Sequence, residues 1–517
     1  MLSRGFPSLT GWAVLISIVL LSGCSLPVQQ MTQSFALTPD AARSTRLGQT
    51  WPKEIAAHPG TSGIHALPNP QDAFAARILL ARAAEQTLDV QYYIWHGDIT
   101  GTLLLEELHA AADRGVRVRL LLDDNGTVGL DTELAALAQH PQIEVRLFNP
   151  FRVRKPKWIG FLTDFSRLNR RMHNKSFTAD NSATIIGGRN IGDEYFGATS
   201  GVLFTDLDVL AVGPVVDAVS TDFDRYWASG SAYPVEQILP EVTPDHLTQL
   251  AERAALIERN SKAASYVSAV ARSSFIRQLL DGDLSIEWAP TRMVTDDPAK
   301  GLGKAAESGL LTWQLSQILD RPAQSVVLIS PYFVPTAAGV ESFTALARRG
   351  VDVRILTNSL DATDVSAVHA GYAKRRRDLL AGGVRLFEMR RLSPHQQRNE
   401  SAGPFGSSGS SLHAKTFAVD GQRIFVGSFN FDPRSANLNT ELGFVIDSPV
   451  LAQRVHDMFE YHIPGTAYEV RLDDSGALHW IEQIDDQTIR HTREPNTGLF
   501  KRLSIHMLAL LPIEWLL

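Results

Sequence analysis

Arg114-Gly115-Val116-Arg117-Val118-Arg119-Leu120-Leu121 returns about 235 residues later as Arg349-Gly350-Val351-Asp352-Val353-Arg354-Ile355-Leu356. In each copy the arginine and glycine close a helical pattern, over 103–114 and 340–349, and the valine- and leucine-rich run that follows has the composition of a strand. A further strand precedes each helix. These are Leu88-Asp89-Val90-Gln91-Tyr92-Tyr93-Ile94-Trp95 and Val326-Val327-Leu328-Ile329-Ser330-Pro331-Tyr332. The β-α-β order predicts a parallel strand pair with a helix on one face, and its recurrence predicts an α/β chain of two pseudo-symmetric halves.

Outward from the repeat, 72–86 has the spacing of an amphipathic helix, through Phe74, Ile78, Leu79 and Ala83. Between the halves, Thr243-Pro244-Asp245 is a helix start, and a helical connector should run to about Leu280, before Gly282. From 25 to about 60 the chain is polar and aperiodic, as a tether would be. The length of 517 residues suits two such halves, and 44% hydrophobic with 20% charged residues is the usage of a globular protein. A formal charge of −7 argues against a protein that coats nucleic acid.

Each half carries the same chemical motif. His173-Asn174-Lys175-Ser176-Phe177-Thr178-Ala179-Asp180 is followed, six residues on, by Gly187-Gly188-Arg189-Asn190; His413-Ala414-Lys415-Thr416-Phe417-Ala418-Val419-Asp420 is followed at the same gap by Gly427-Ser428-Phe429-Asn430. On a strand, side chains two apart share a face, so each histidine points with its lysine. Asp180 and Asp420, seven positions on, fall on the other face and sit in the turn dipeptides Asp180-Asn181 and Asp420-Gly421, where a structural role is expected. The Gly-x-x-Asn endings let backbone and amide approach an oxyanion. Two histidines supply nucleophile and proton donor for a phosphodiester near neutral pH, and two lysines hold its charge. No metal or cofactor is required, and no cluster of acids and histidines at ligand spacing is visible in the sequence.

An attacking imidazole needs an acceptor on its second nitrogen. Asp206 and Asp208, on the strand-like 204–212, and Glu441, in Asn439-Thr440-Glu441-Leu442-Gly443-Phe444, are the candidates; each equally suits a turn cap or a partner for a surface arginine.

These paired motifs resemble those of the phospholipase D superfamily, and within it the bacterial cardiolipin synthases that carry a lipobox. The resemblance implies two phospholipase D-type halves, with mixed sheets around one shared active site. It also implies phosphate contacts at Asn190 and Asn430, and a catalytic set of His173, Lys175, Asp180, His413, Lys415 and Asp420. A phosphohistidine intermediate would form on His173, with His413 protonating the leaving group, although the residues themselves leave the two histidines equivalent. The implied activity is transfer of a phosphatidyl group onto phosphatidylglycerol to make cardiolipin, with phosphatidylglycerol or phosphatidylethanolamine as donor. Hydrolysis of phospholipid, or of nucleic acid, is the alternative within enzymes. A non-catalytic lipid-binding lipoprotein is the alternative outside them.

Residues 1–24 are similar to a lipoprotein signal, with Arg4, an apolar run from Gly11 to Leu21, and Leu21-Ser22-Gly23-Cys24. The run is shorter than the ~20 residues a membrane span needs. The resemblance implies removal of 1–23 and acylation of Cys24, with Ser25 favouring the periplasmic face of the outer membrane over the inner membrane. The expected organisation is then signal 1–23, tether 24–60, first half 61–240, connector 241–284, second half 285–480 and tail 481–517. Before the first motif, Arg152, Arg154, Lys155, Lys157, Arg167, Arg170 and Arg171 interleave with Trp158, Phe161 and Phe165, and suit either an anionic lipid surface or a solvated loop. The polar stretch 394–411 is a plain excursion or a lid. For the apolar 499–517, core packing is expected over membrane contact, and His96, His369 and His395 fall to ordinary structural or surface roles.

Overall fold

The computed structural model describes residues 26–29, 34–199, 203–243, 245–281, 283–319, 321–391, 410–484 and 487–517. Two mixed sheets carry the fold. The first runs in the order Glu287–Ala289, Ser62–Leu67, Asp208–Val212, Ala183–Gly187, Ser176–Ala179, Thr87–Ile94, Arg117–Gly126, Ile143–Phe148 and Ala232–Pro234. The second runs Thr291–Thr295, Leu442–Ile446, Arg423–Gly427, Thr416–Val419, Ser325–Ile329, Asp352–Asn358, Arg385–Met389, Ala467–Leu472, Leu478–Ile484 and Gln487–His491. From Ser62–Leu67 to Ala232–Pro234, and from Thr291–Thr295 to Ala467–Leu472, the two orders are the same. In each half the parallel pair expected from the repeat, Thr87–Ile94 with Arg117–Gly126 and Ser325–Ile329 with Asp352–Asn358, lies beside the strand that follows the His-x-Lys motif.

The sheets meet over an apolar layer to which both contribute. Ile64, Ile186, Val209 and Ala211 of the first pack in one cluster with Ala418, Ile424, Val426 and Phe444 of the second. Burying these side chains on both sheets removes enough apolar area to hold the halves in fixed register. That register brings the two motif strands into one centre.

Three parts of the chain differ from the sequence reading. The supposed tether is structured from 34 on, as short helices Pro39–Ser44, Arg46–Thr50 and Pro52–Ala57 laid on the first half. Thr38 caps the first of these by accepting from Ala41 N–H, with Pro39 in the first turn. This is the Thr-Pro-Asp signal recognised at 243–245, overlooked at 38–40 because the surrounding polarity suggested a linker. The connector is three helices, Asp245–Arg259, Ser261–Ala271 and Ser274–Asp281. Its Leu250, Ala254, Tyr266, Val270 and Phe275 join the core of the first half, so it caps that half. Finally, Glu287–Ala289 pairs with Ser62–Leu67 of the first sheet, while the second sheet continues to His491. The change of half therefore falls near Pro290, and the tail begins after 491.

Candidate active site

The motif strands deliver His173 and His413 to the seam between the halves, each 6% exposed. Two main-chain bonds fix them there. His173 N–H donates to Thr440 O at 2.8 Å, and His413 N–H donates to Thr205 O at 2.8 Å. In both cases the next residue is an acid whose carboxylate meets the imidazole: Glu441 Oε2 lies 2.8 Å from His173 Nδ1, and Asp206 Oδ2 lies 2.5 Å from His413 Nδ1. The wiring is crossed, because Glu441 belongs to the second half and Asp206 to the first. A parallel ladder of Leu203–Thr205 with Ser410–Leu412 and a bridge between Met172 and Thr440 support the two crossings.

Of the three acids proposed from sequence, the structure brings two to the histidines. Asp208 instead sits 2.8 Å from Arg77 Nη2 and 3.4 Å from Arg189 Nη1, in a fully buried ion cluster. In an unbroken strand Asp206 and Asp208 would share a face. The strand is interrupted between Thr205 and Asp208, which turns Asp206 to the site and Asp208 into the core. Gly188 makes room for this: a Cβ there would lie 2.1 Å from Asp206 Oδ1. At the matching position Ser428 Oγ donates to Glu441 Oε2 at 2.5 Å. The glycine at 188 therefore admits a carboxylate.

Lys175 Nζ donates to the His173 carbonyl at 2.5 Å, and Lys415 Nζ to the His413 carbonyl, with His413 Nδ1 2.8 Å away. Each ammonium keeps further N–H donors for an anion. Burial pushes Lys175 down to about 7 and Lys415 down to about 8, partly offset by Glu441 and Asp206. Burial, reinforced by Lys175 and Lys415, drives His173 well below the ordinary histidine range. Burial and Lys415 also lower His413, and Asp206 opposes them. Burial raises Glu441 to about 7, whereas the charges of His413 and Lys415 overcome burial at Asp206 and hold it below the usual carboxylate range. The two pseudo-equivalent histidines are electrostatically distinct.

The motif aspartates lie elsewhere and do not join this set. Asp180 accepts from the N–H groups of Glu85, Gln86 and Thr87 at 2.8–2.9 Å, and Asp420 from those of Ala323, Gln324 and Ser325 at 2.7–3.1 Å. With φ of 51° and 53° they shape the turn after each motif strand and tie it to the start of the neighbouring strand. Asn190 Oδ1 accepts from Ile94 N–H at 3.2 Å and its amide donates to the Tyr195 hydroxyl at 3.0 Å. Asn430 is buried, and its Oδ1 has no hydrogen-bond partner among the described residues. The sequence reading missed the aromatic wall. Tyr93 meets His173 edge-on at 5.0 Å, and Tyr195 and Phe204 lie 5.2 and 5.1 Å from His413.

Two copies of a model for the cardiolipin synthase, PLD-like domain match at residues 78–227 and 315–463, one around each motif. The chain belongs to the phospholipase D-like, cardiolipin synthase family. It is 50% identical to cardiolipin synthase C of Escherichia coli strain K12 over 460 residues, covering 89% of this chain and 97% of that protein. An uncharacterized Helicobacter pylori protein is 31% identical over 509 residues, 96% of this chain and 98% of its own. Among solved structures, phosphatidylserine synthase from Haemophilus influenzae Rd KW20 superposes with a TM-score of 0.53 at 14% identity, over 88% of this chain and 95% of that one, a likeness of fold.

Around the site of this family member, four of the cations before the first motif pair with acids. Arg154 pairs with Asp124 and Asp131, Lys157 with Asp124, Arg167 with Asp164 and Arg171 with Asp123. These four side chains are tethered to acids, so they brace the approach to His173, while Arg152 and Lys155 are exposed. Among the described residues, one histidine–acid group has ligand-like spacing, His96, Asp98 and Glu194, which the sequence did not reveal. Its bonds are structural: Asp98 caps helix Ile99–Asp113 through Gly101 N–H at 3.0 Å, and Glu194 lies 3.2 Å from His96. Cys24 and nearly all of 394–411, the supposed lid, lie outside the described residues.

Proposed function

We propose that this chain is a phosphatidyltransferase that makes cardiolipin, and that the crossed His–acid pairs are the observation that carries the mechanism. In the first step His173 Nε2 attacks the phosphorus of a donor phospholipid. The P–O bond to the departing alcohol breaks, and His413 gives that oxygen its proton. In the second step His413 takes the proton of a glycerol hydroxyl of phosphatidylglycerol, whose oxygen attacks phosphorus as the N–P bond breaks and His173 is restored. Lys175, Lys415 and the Asn430 amide hold the non-bridging oxygens, where each well-aimed donor is worth about 3–4 kcal/mol in the transition state.

The difference between the histidines supports this division of roles. His173 is kept neutral by burial and two lysines, and with its Nδ1 proton held by Glu441 its Nε2 lone pair is available for attack. His413, on an ionised Asp206, is the better proton carrier. Synthase rather than hydrolase is supported by 50% identity to cardiolipin synthase C along nearly its whole length. A lipid substrate implies work at a membrane, and acylation of Cys24 at the periplasmic face of the outer membrane is the anchoring we propose. No helix among the described residues is long and apolar enough to cross a bilayer.

The test is to incubate the protein with labelled phosphatidylglycerol, with and without phosphatidylethanolamine, and identify the lipids by mass spectrometry. Cardiolipin is the expected product, and its dependence on phosphatidylethanolamine names the donor. Phosphatidic acid without cardiolipin would reject the synthase assignment.

A further inference from the structure

The last α-helix among the described residues, Leu499–Ala509, is built the wrong way round for a surface helix. Its buried residue is Ile505, by which it rests on helix Ser366–Ala373. Opposite Ile505, within an arc of about 120° at 100° per residue, lie Leu499, Phe500, Leu503 and Met507, and Leu510 and Leu511 follow directly beyond the helix end. All six are exposed, Phe500 at 88% and Leu510 at 79%. An outward stripe of six large apolar side chains is a binding face.

A second exposed apolar group lies 340 residues earlier, at Trp158, Leu162 and Phe165, just before the first motif. One guanidinium joins the two. Arg434 donates to Asn169 O at 3.0 Å and Asn169 Oδ1 at 2.6 Å, just after the second group, and to Leu516 O at 3.0 Å, while its own N–H donates to Leu517 O at 2.7 Å. Arg434 follows Asn430 by four residues, and its charge is felt at Tyr93, the ring set edge-on to His173. Arg434 thus ties the segment that follows the Trp158 group and the end of the chain to one point, four residues from Asn430.

We propose that helix Leu499–Ala509 lies in the surface of a phospholipid bilayer, stripe inward, and together with Trp158, Leu162 and Phe165 seats the site mouth on the membrane. The occupant is assigned from placement and length, and rests on the phosphatidyl-transfer reading. Two apolar groups from distant parts of the chain have their neighbouring segments joined through Arg434, near a site whose proposed substrate is itself a lipid, and an eleven-residue helix is too short to span but suited to lie flat. Trp515, exposed beyond its end, is the residue type that settles at the headgroup level.

The experiment uses the full chain with Cys24→Ser, carrying Leu503→Cys or, at the flank of the stripe, Ser504→Cys, labelled with an environment-sensitive fluorophore. With vesicles of phosphatidylglycerol and phosphatidylethanolamine the label at 503 should shift to the blue and be quenched by spin-labelled acyl chains, more strongly than at 504. No response at 503, or a blue shift that grows with protein concentration without vesicles, overturns the proposal, the latter assigning the face to a second copy. In a second arm, Leu503→Glu with Leu510→Glu should lower turnover on vesicles about tenfold and leave turnover of dissolved short-chain phosphatidylglycerol unchanged. Equal loss on both substrates also overturns it. A wild-type protein inactive on both would instead sink the phosphatidyl-transfer reading, leaving the quenching measurement to decide the docking.

Discussion

His173 and His413 occupy matching positions in matching motifs, yet their surroundings give them different protons to manage. Replacing either by Ala should abolish cardiolipin formation, a loss of at least about 10³ in kcat, while the fold melts as before. Glu441→Gln keeps the shape of its site but removes the charge that accepts the Nδ1 proton of His173, so kcat/KM should fall on the order of 10²–10⁴. The pH profile separates the partners. Glu441, raised to about 7, must be ionised, so kcat/KM rises through that pH. Lys175, lowered to about 7, and Lys415, lowered to about 8, must keep their charge, so the profile is a narrow bell whose falling limb begins at about 7 and steepens at about 8. Glu441→Gln should erase the acid limb near 7 along with the lowered plateau, and an unchanged limb would move its origin to another group. Asp180→Ala, by contrast, leaves three strand-end N–H groups without their carboxylate and should cost about 3 kcal/mol of stability, visible in thermal unfolding, with the chemistry of surviving molecules intact.

The β-α-β units, both motif strands and the turn role of the aspartates were legible in the sequence because each depends on local periodicity and turn chemistry. The acids were legible only as a short set. Asp206 and Asp208 alternate as a regular strand would have them, and nothing in the spacing signals the break that turns one of them away. Nor does spacing reveal that each acid serves the histidine of the other half, since that follows from how two sheets pack. The same limit explains the last helix: its apolar content was plain, but which side of it meets the protein is a tertiary fact. Strand Ser410–Leu412 is held by Asn358, whose Nδ2 donates to Leu412 O at 3.0 Å and whose Oδ1 accepts from Leu412 N–H at 2.9 Å. Asn358→Ala should destabilise the protein by about 1–3 kcal/mol and, by loosening the strand that presents His413, lower turnover more than the fraction folded. Chemical denaturation beside steady-state rates checks it.

For the molecule as a whole, the apolar layer between the sheets makes one working unit of two halves, since Ile186 and Val209 share a cluster with Val426 and Phe444. Both histidines of a site come from one chain. Mixing the His173→Ala and His413→Ala proteins should therefore restore no cardiolipin synthesis; recovered activity would mean that sites are completed between chains. The crossed carboxylates also bear on descent. Two repeats that each lend the other an acid cannot be inherited or exchanged piecemeal, for a change at position 206 is tested by selection through the imidazole at 413, and one at 441 through that at 173. Compensating changes should accordingly be sought between the repeats, and a chimera that takes one half from a distant relative will work only if the borrowed half brings a carboxylate that fits the histidine it did not evolve beside.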